Sequence, residues 1–303
     1  MVATRCATSI VGYFRHWRYQ PSMVLILFAF MYLGWVALGG GLEDRSAPAL
    51  LRVAIGWAAS TAVLLAIFLI NDAADCEGDR LAHPERPIPR GLADWRDVLA
   101  FGVLLLALAV GLSALVGRLP AIVSVLMAIG ALFHYGYLKS RSPIPSELLN
   151  PAVSVLFPAY ALSVSGDFER ATAIHLLGFI YFADFAQDLL GGIHDREGDQ
   201  RANVRTFARA IGARATLVVS AVALIVAIAC GLRLGLGGAL GRTYLVAFGV
   251  LTSVLAYRYL RLFRSSPEAL VVEAGRVNHL GGGYFFLVSA STFLDHLVRP
   301  WVG

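Results

Sequence analysis

The chain has 303 residues, of which 58% are hydrophobic and 15% are charged, and its formal net charge is +5 at pH 7. Soluble globular domains average about 25% charged residues. The composition therefore excludes an ordinary soluble domain and predicts a single integral membrane domain over residues 1–303. The three cysteines are too widely spaced for a disulfide framework or a zinc site. The sequence indicates a lipid bilayer as partner and no nucleic acid.

The first 20 residues carry Arg5, Arg15 and Arg18 ahead of a long apolar run. They lack the small-residue cleavage site that follows the apolar region of a secretory signal. This pattern predicts a cytoplasmic N-terminal tail before a first helix that is retained in the mature protein.

Nine apolar stretches follow in chain order. A helix that crosses a bilayer needs about 20 mostly apolar residues. By this criterion we predict an all-α protein with spans near residues 22–39, 50–70, 98–116, 121–137, 148–164, 171–190, 215–232, 244–257 and 280–297. Gly and Pro at residues 117–120 predict a tight reversal between the third and fourth spans.

The distribution of basic residues predicts the orientation of these spans. If the N-terminus is cytoplasmic, 18 of the 25 Arg and Lys residues fall on the cytoplasmic side. Cytoplasmic loops of membrane proteins carry such an excess. The sequence therefore predicts a multi-pass protein, placed in a bacterial cell membrane, whose N-terminus and active site are cytoplasmic.

One acidic pattern occurs twice. Residues 75–79 read D-C-E-G-D and residues 195–199 read D-R-E-G-D. The two copies follow the second and sixth predicted spans, which are four spans apart. This placement predicts an internal four-helix pseudo-repeat with a ninth helix added. Carboxylates at the end of a membrane span are costly to desolvate and therefore indicate a functional site.

Both copies extend along a helix face. If the second span continues through the first copy, Asn71, Asp75 and Asp79 are spaced i, i+4 and i+8 and lie near one face. Stacked oxygen ligands of this kind suit Mg²⁺, which binds a few carboxylates together with substrate phosphates. The absence of a Cys or His cluster disfavours softer metals. One turn after Asp184, the sixth span offers a matching set: Asp188, Asp195 and Asp199.

Basic residues near the copies are candidates for binding a diphosphate. Arg86 and Arg90 follow the first copy, and Lys139 is the only lysine in the chain. An ammonium group is a compact point charge that an arginine does not replace. The alternatives are that Arg86 and Arg90 are solvated loop charges and that Lys139 only sets the topology.

At these residues the chain resembles the UbiA superfamily of intramembrane prenyltransferases. The resemblance extends over the whole chain in the number and order of spans. The family pattern R-T-L-P-x-x-x-G is matched only in part, at residues 205–212, and Gly192 stands where many members carry a further acidic residue. Asp188 is then the candidate for that charge. The matched motif residues are Asn71, Asp72, Asp75 and Asp79, residues 86–91 (R-P-I-P-x-G), Tyr135 and Lys139, and Asp195 and Asp199.

The resemblance implies a bundle of nine helices around a central cavity, in which both acidic motifs bind Mg²⁺ and an isoprenyl diphosphate. Lys139 and Arg86 then stabilise the departing diphosphate, and an aromatic face such as Tyr135 stabilises the allylic cation. Asp195 is the candidate that deprotonates the acceptor. An aromatic molecule or quinone precursor is the expected acceptor, because this is a common use of the family.

Two other functions remain open at the level of sequence. A membrane terpene cyclase ionises the same donor and needs no acceptor. A cation transporter also carries intramembrane carboxylates, but here the acidic residues cluster at span ends, and Asp184 and Asp188 are the deepest.

Overall fold

The computed structural model describes residues 2–17, 21–138, 145–166, 169–201 and 204–302. These residues form helices and no strand, which confirms the all-α prediction. Residues 1–29 and 51–141 belong to one compact unit, and residues 30–50 and 142–303 belong to a second. Two helices, α2 (Pro21–Leu38) and α3 (Ala47–Ala74), contribute residues to both units.

The first unit contains the helices on either side of the first acidic copy. A tight reversal joins α5 to α6 where we predicted it, since α5 ends at Val116 and α6 begins at Arg118. A π-helical segment then covers Ala131–Leu138. The α-helices of this unit, besides its parts of α2 and α3, are α1 (Val2–Arg15), α4 (Cys76–Ala82), α5 (Trp95–Val116) and α6 (Arg118–Gly130).

The N-terminal segment is a packed helix and not merely a tail. Tyr13 of α1 and the following Trp17 are buried together with Leu69 of α3 and Val98 of α5. The rings of Trp17 and Phe68 meet edge to face with centroids 5.2 Å apart. Ile10 and Phe14 of α1 pack against the same cluster. Residues four positions apart fall on the same side of a helix, and this spacing gives α1 a face that packs on the core.

The second unit contains the helices on either side of the second acidic copy. Its central helix is α9 (Arg170–His194), which packs most extensively against α7 (Ser146–Ser154), α12 (Ala213–Leu236) and α14 (Pro267–Val302). Residues 146–165 form two helices, because Pro158 has no N–H to bond the carbonyl of Ser154. The helices are α7 (Ser146–Ser154), α8 (Leu156–Ser165), α9 (Arg170–His194, the central helix), α10 (Arg196–Arg201), α11 (Phe207–Ala210), α12 (Ala213–Leu236), α13 (Arg242–Arg264) and α14 (Pro267–Val302).

The described helices are long and apolar enough for an integral membrane protein. Six segments are each long and apolar enough to cross a bilayer. Two shorter apolar helices cover Val24–Leu38 and Arg118–His134. The last predicted span, 280–297, lies inside α14, which is not among the six. The nine-span count, the central cavity and the four-helix pseudo-repeat therefore stay predictions.

Apolar side chains also point outward, as expected for helices in lipid. On α5, Leu104, Leu108 and Leu115 are exposed, and on α12 so are Val218, Val222 and Ile225. A soluble protein rarely exposes contiguous apolar faces of this kind. These faces fit the hydrocarbon region of a bilayer.

Candidate active site

The two acidic motifs have the same local backbone. In the first, α3 ends at Ala74, Asp75 has φ −84° and ψ 0°, and α4 begins at the next residue. In the second, α9 ends at His194, Asp195 has φ −89° and ψ 5°, and α10 begins at the next residue. Each motif is thus a long helix, one turn residue that is itself an aspartate, and a short helix.

Backbone hydrogen bonds continue through both turns. The N–H of Asp75 donates to the carbonyl of Asn71 over 2.9 Å, and the N–H of Asp79 donates to that of Asp75 over 2.9 Å. The N–H of Asp195 and that of Asp199 bond four residues back in the same way, over 2.8 and 2.9 Å. The bends therefore preserve the four-residue spacing on which the predicted ligand faces depend.

The side chain of Arg86 forms an ion pair with that of Asp79. The structure thus brings together two predicted site residues. Nη1 of Arg86 donates to both carboxylate oxygens of Asp79, over 2.7 and 2.6 Å. Burial raises the pKa of the Asp79 carboxyl above its ordinary value, against the opposing effect of the Arg86 hydrogen bond and charge. Both bonds use Nη1, and the other guanidinium donors of Arg86 have no hydrogen-bond partner among the described residues. These donors suit phosphate oxygens.

Asp72 is also paired, with a residue that the sequence analysis did not identify. The hydroxyl of Tyr13 donates to Oδ2 of Asp72 over 2.7 Å, and both side chains are buried. The same face of α1 contacts the loop before α5: Oγ of Ser9 accepts from the N–H of Asp94 over 2.8 Å. Helix α1 is therefore hydrogen-bonded both to Asp72 and to the loop before α5, which carries Arg86.

The Tyr13 contact predicts a loss of stability on removal of one hydroxyl. Tyr13→Phe keeps the ring packing but leaves a buried carboxylate oxygen without this donor, at a cost of about 1–3 kcal/mol in the free energy of unfolding. Thermal unfolding of the purified protein in detergent measures the effect. Tyr257→Phe is the control, because Tyr257 is 59% exposed. Equal melting temperatures for wild type and Tyr13→Phe would contradict the prediction.

The remaining predicted residues of the first motif are more open. The side chains of Asn71 and Asp75 are partly buried, and that of Arg90 is exposed. Glu77, next to the turn, is exposed as well. Asp75 is therefore within reach of both water and a ligand from the cytoplasmic end that we predict for α3.

In the second motif, Asp195 is exposed. Its side chain is 65% exposed, and its Oδ1 lies 3.9 Å from Nε2 of His194. Asp199 is partly buried, and its backbone carbonyl accepts from Nη1 of Arg209 over 3.3 Å. Arg209 also donates to the carbonyl of Val204 and thereby fixes the segment after α10.

Polar side chains of α7 meet the acidic residues of α9. Nδ2 of Asn150 donates to Oδ2 of Asp188 over 2.8 Å. The contact continues at Glu147, whose Oε1 accepts from the N–H of Phe207 over 3.0 Å.

Aromatic rings lie on the same helices. The ring of Phe185 meets that of Phe207 edge to face at 5.8 Å and lies 6.2 Å from that of Tyr181. The hydroxyl of Tyr181 reaches the carbonyl of Leu148 over 3.5 Å. Tyr181 and Phe185 are therefore candidates for stabilising a cation beside the α7–α9 contact.

The side-chain chemistry fits Mg²⁺, although no cage is preassembled. Within the described ranges, no group of three or more His, Cys, Asp or Glu is arranged to hold a metal ion. Mg²⁺ does not need such a cage, because it keeps water ligands and uses one or two carboxylates with substrate phosphates. Asp75 in the first motif and Asp195 in the second are each accessible enough to serve as such a carboxylate. The complete ligand set remains a prediction.

Two predicted site residues cannot be placed. Lys139 lies outside the described residues, and so does the side chain of Tyr135, whose backbone belongs to the π-helical segment. Their proposed roles rest on the sequence alone.

Sequence reasoning missed Tyr13, Glu147 and Asn150. Glu147 fell one residue before the fifth predicted span, so that its place beside α9 went unnoticed. The polar residues of α7 at 147, 150 and 154 have helical spacing, and this pattern was the available signal.

Known proteins match this chain over most of its length. Residues 25–274 match the model of the UbiA prenyltransferase family. A digeranylgeranylglyceryl phosphate synthase of Halobacterium salinarum is 30% identical over 241 residues, which cover 78% of this chain and 84% of the relative.

Solved structures share the fold. A structure described as a digeranylgeranylglyceryl phosphate synthase in membranes has a TM-score of 0.74 and 17% identity, and covers 96% of this chain and 99% of that chain. A UbiA homologue of Archaeoglobus fulgidus bound to GPP and Mg²⁺ has a TM-score of 0.61 and 17% identity, and covers 91% of this chain and 99% of that chain. At this identity the likeness shows the fold alone.

Proposed function

Because the chain belongs to the UbiA prenyltransferase family, we propose that it transfers a prenyl group from a prenyl diphosphate to a hydroxyl of a glyceryl phosphate lipid. Both acidic motifs bind the Mg²⁺ that this reaction uses. The observation that carries the proposal is the family match over residues 25–274, which includes both motifs. The protein is an integral membrane prenyltransferase, and its active site is placed on the cytoplasmic side.

The names of the relatives favour the glyceryl phosphate acceptor. The Halobacterium salinarum relative is a digeranylgeranylglyceryl phosphate synthase, and so is a Thermococcus kodakarensis relative that is 26% identical over 92% of this chain. The product in this name carries two prenyl groups on a glyceryl phosphate. An aromatic or quinone-precursor acceptor, which we predicted from the sequence, has no comparable support. These relatives are archaeal, so a bacterial membrane has no support from them either.

The chemistry assigns a role to each group. The allylic C–O bond breaks and its electron pair leaves with the diphosphate, whose growing charge is stabilised by the guanidinium donors of Arg86 that Asp79 does not use and by Lys139. Mg²⁺ held by the two acidic motifs would add Lewis-acid stabilisation of the departing diphosphate. The acceptor oxygen then bonds to the allylic carbon, and Asp195 takes the hydroxyl proton. The faces of Tyr181, Phe185 and Tyr135 stabilise the cation between these steps.

A donor and acceptor panel tests the proposal. Purified protein with Mg²⁺ receives geranyl, farnesyl or geranylgeranyl diphosphate, and either geranylgeranylglyceryl phosphate, 4-hydroxybenzoate or no acceptor. We expect a doubly prenylated glyceryl phosphate by mass spectrometry, and its loss with EDTA. A prenylated benzoate would restore the aromatic acceptor. A cyclic hydrocarbon or alcohol without acceptor would identify a terpene cyclase.

Cation transport is the remaining alternative from the sequence. Family membership argues against it, because the matched family is one of prenyltransferases. Metal uptake into liposomes without diphosphate turnover would reverse this judgement.

A further inference from the structure

The acidic face of α9 has a gap at Gly192. Asp188, Asp195 and Asp199 share this face, and Gly192, four residues after Asp188 and three before Asp195, lies between the first two near this face. A Cβ at Gly192 would lie 2.8 Å from Oε1 of Glu147. The carboxylate of Glu147, which comes from α7, thus occupies the space that a side chain at position 192 would take.

The first motif has a carboxylate at the corresponding position. Gly192 precedes the turn residue Asp195 by three positions, as Asp72 precedes Asp75. Both motifs therefore have a buried carboxylate at this place, one from the motif itself and the other from Glu147. Each accepts a hydrogen bond from a neighbouring segment, Asp72 from Tyr13 and Glu147 from the N–H of Phe207.

Glu147 retains an unused oxygen. Its side chain is only 3% exposed, and Oε2 is buried without a hydrogen-bond partner among the described residues. An ionised carboxylate in such a place is costly unless a partner compensates for its charge. A bound cation is one such partner. Asn150, one turn along α7, bonds Asp188, so Glu147 lies on the side of α7 that contacts the acidic face of α9.

We propose that Glu147 is a cation-binding member of the second acidic motif and supplies from α7 the carboxylate that Gly192 lacks. The cation is the Mg²⁺ that accompanies the prenyl diphosphate, so this inference rests on the function proposed above. The N–H of Phe207 holds Oε1 and leaves Oε2 for the cation.

A purely structural role for Glu147 is separable from this one. Glu147→Gln keeps an oxygen that accepts from Phe207 but removes the charge. Glu147→Ala with Gly192→Asp removes the acceptor for Phe207 but returns a carboxylate to the acidic face of α9. The first variant therefore keeps the hydrogen bond and loses the charge, whereas the second loses the hydrogen bond and restores a charge.

The experiment measures melting temperature against Mg²⁺ concentration, with geranylgeranyl diphosphate present and no acceptor. Ligand that binds the folded state raises the melting temperature. Compared with wild type, we expect Glu147→Gln and Glu147→Ala to need at least tenfold more Mg²⁺ for half of the full shift. Gly192→Asp alone has a similar defect, because its carboxylate lies against that of Glu147. The double variant Glu147→Ala/Gly192→Asp returns to within threefold of wild type.

The opposite pattern would overturn the inference. If Glu147→Gln has the Mg²⁺ dependence of wild type and the double variant stays impaired, Glu147 only binds the N–H of Phe207. If wild type itself shows no shift with Mg²⁺ and the diphosphate, the proposed function fails along with the inference. If wild type shows the shift and Glu147→Gln shows the same dependence on Mg²⁺, the inference fails but the proposed function stands.

Discussion

Asp75→Asn and Asp195→Asn are each expected to reduce prenyl transfer by about a thousandfold or more, while the protein still inserts and folds. Asparagine preserves shape and keeps one oxygen, but it removes the negative charge that a hydrated Mg²⁺ requires. Both residues occupy the turn of their motif and are open enough to meet a ligand. The measurement is the initial rate with saturating donor over a series of Mg²⁺ concentrations.

The control for these variants is Glu77→Gln. Glu77 is two residues after Asp75, is exposed, and is not one of the predicted ligands. Its substitution removes one charge from the same segment, and we expect activity within about twofold of wild type, since exposed charges contribute little. Near-normal turnover in Asp75→Asn or Asp195→Asn would sink the assignment of Mg²⁺ to both motifs.

Asp295→Ala is expected to cause the largest loss of stability, about 3 kcal/mol. The carboxylate of Asp295, in α14, is 1% exposed and accepts from the N–H of Gly241 over 2.7 Å and from that of Tyr244 over 3.2 Å. It thereby caps the start of α13, where the structure has no cap from the local chain. Arg299 pairs with the same carboxylate over 3.1 Å. Alanine removes the acceptor of both N–H groups, and Arg299 keeps only the carbonyl of Ala239 as an acceptor.

Thermal unfolding in detergent measures this loss, with Asp295→Asn as the matched comparison. Asparagine keeps one oxygen that can still accept from one N–H. Asp295→Asn should therefore lose about half as much free energy of unfolding as Asp295→Ala. Asp295 is 20 residues along α14 from Gly275, which lies against His194, and this separation is about 30 Å. We therefore expect the folded fraction of Asp295→Ala to keep the wild-type KM for the diphosphate. An unchanged melting temperature would show that the cap is dispensable.

The helices were predictable because lipid leaves the backbone few alternatives. A chain in hydrocarbon must satisfy its N–H and C=O groups within the helix, so apolar length alone located the helices α3, α5, α9, α12 and α13. The break between α7 and α8 was not predicted. It depends on the missing N–H of Pro158, and the sequence analysis treated residues 148–164 as one continuous span.

The site was predictable where its residues are close in sequence. Asp79 and Arg86 are seven residues apart, and the structure pairs them. The contacts that were missed join distant residues: Tyr13 to Asp72, 59 positions apart, and Glu147 to Phe207, 60 positions apart. Helical periodicity places side chains on a face of one helix, but it does not say which other helix fills a gap in that face.

The turns at Asp75 and Asp195 would also determine which atoms move if the short helices tilted. Helix α4 has seven residues, so its length is about 10 Å. A 20° tilt about Asp75 would therefore displace its far end by about 3.5 Å. The aspartate at the pivot stays almost in place during such a movement. Each motif thus keeps one carboxylate at the bend, and in the first motif the ion pair between Asp79 and Arg86 restrains the short helix beyond it.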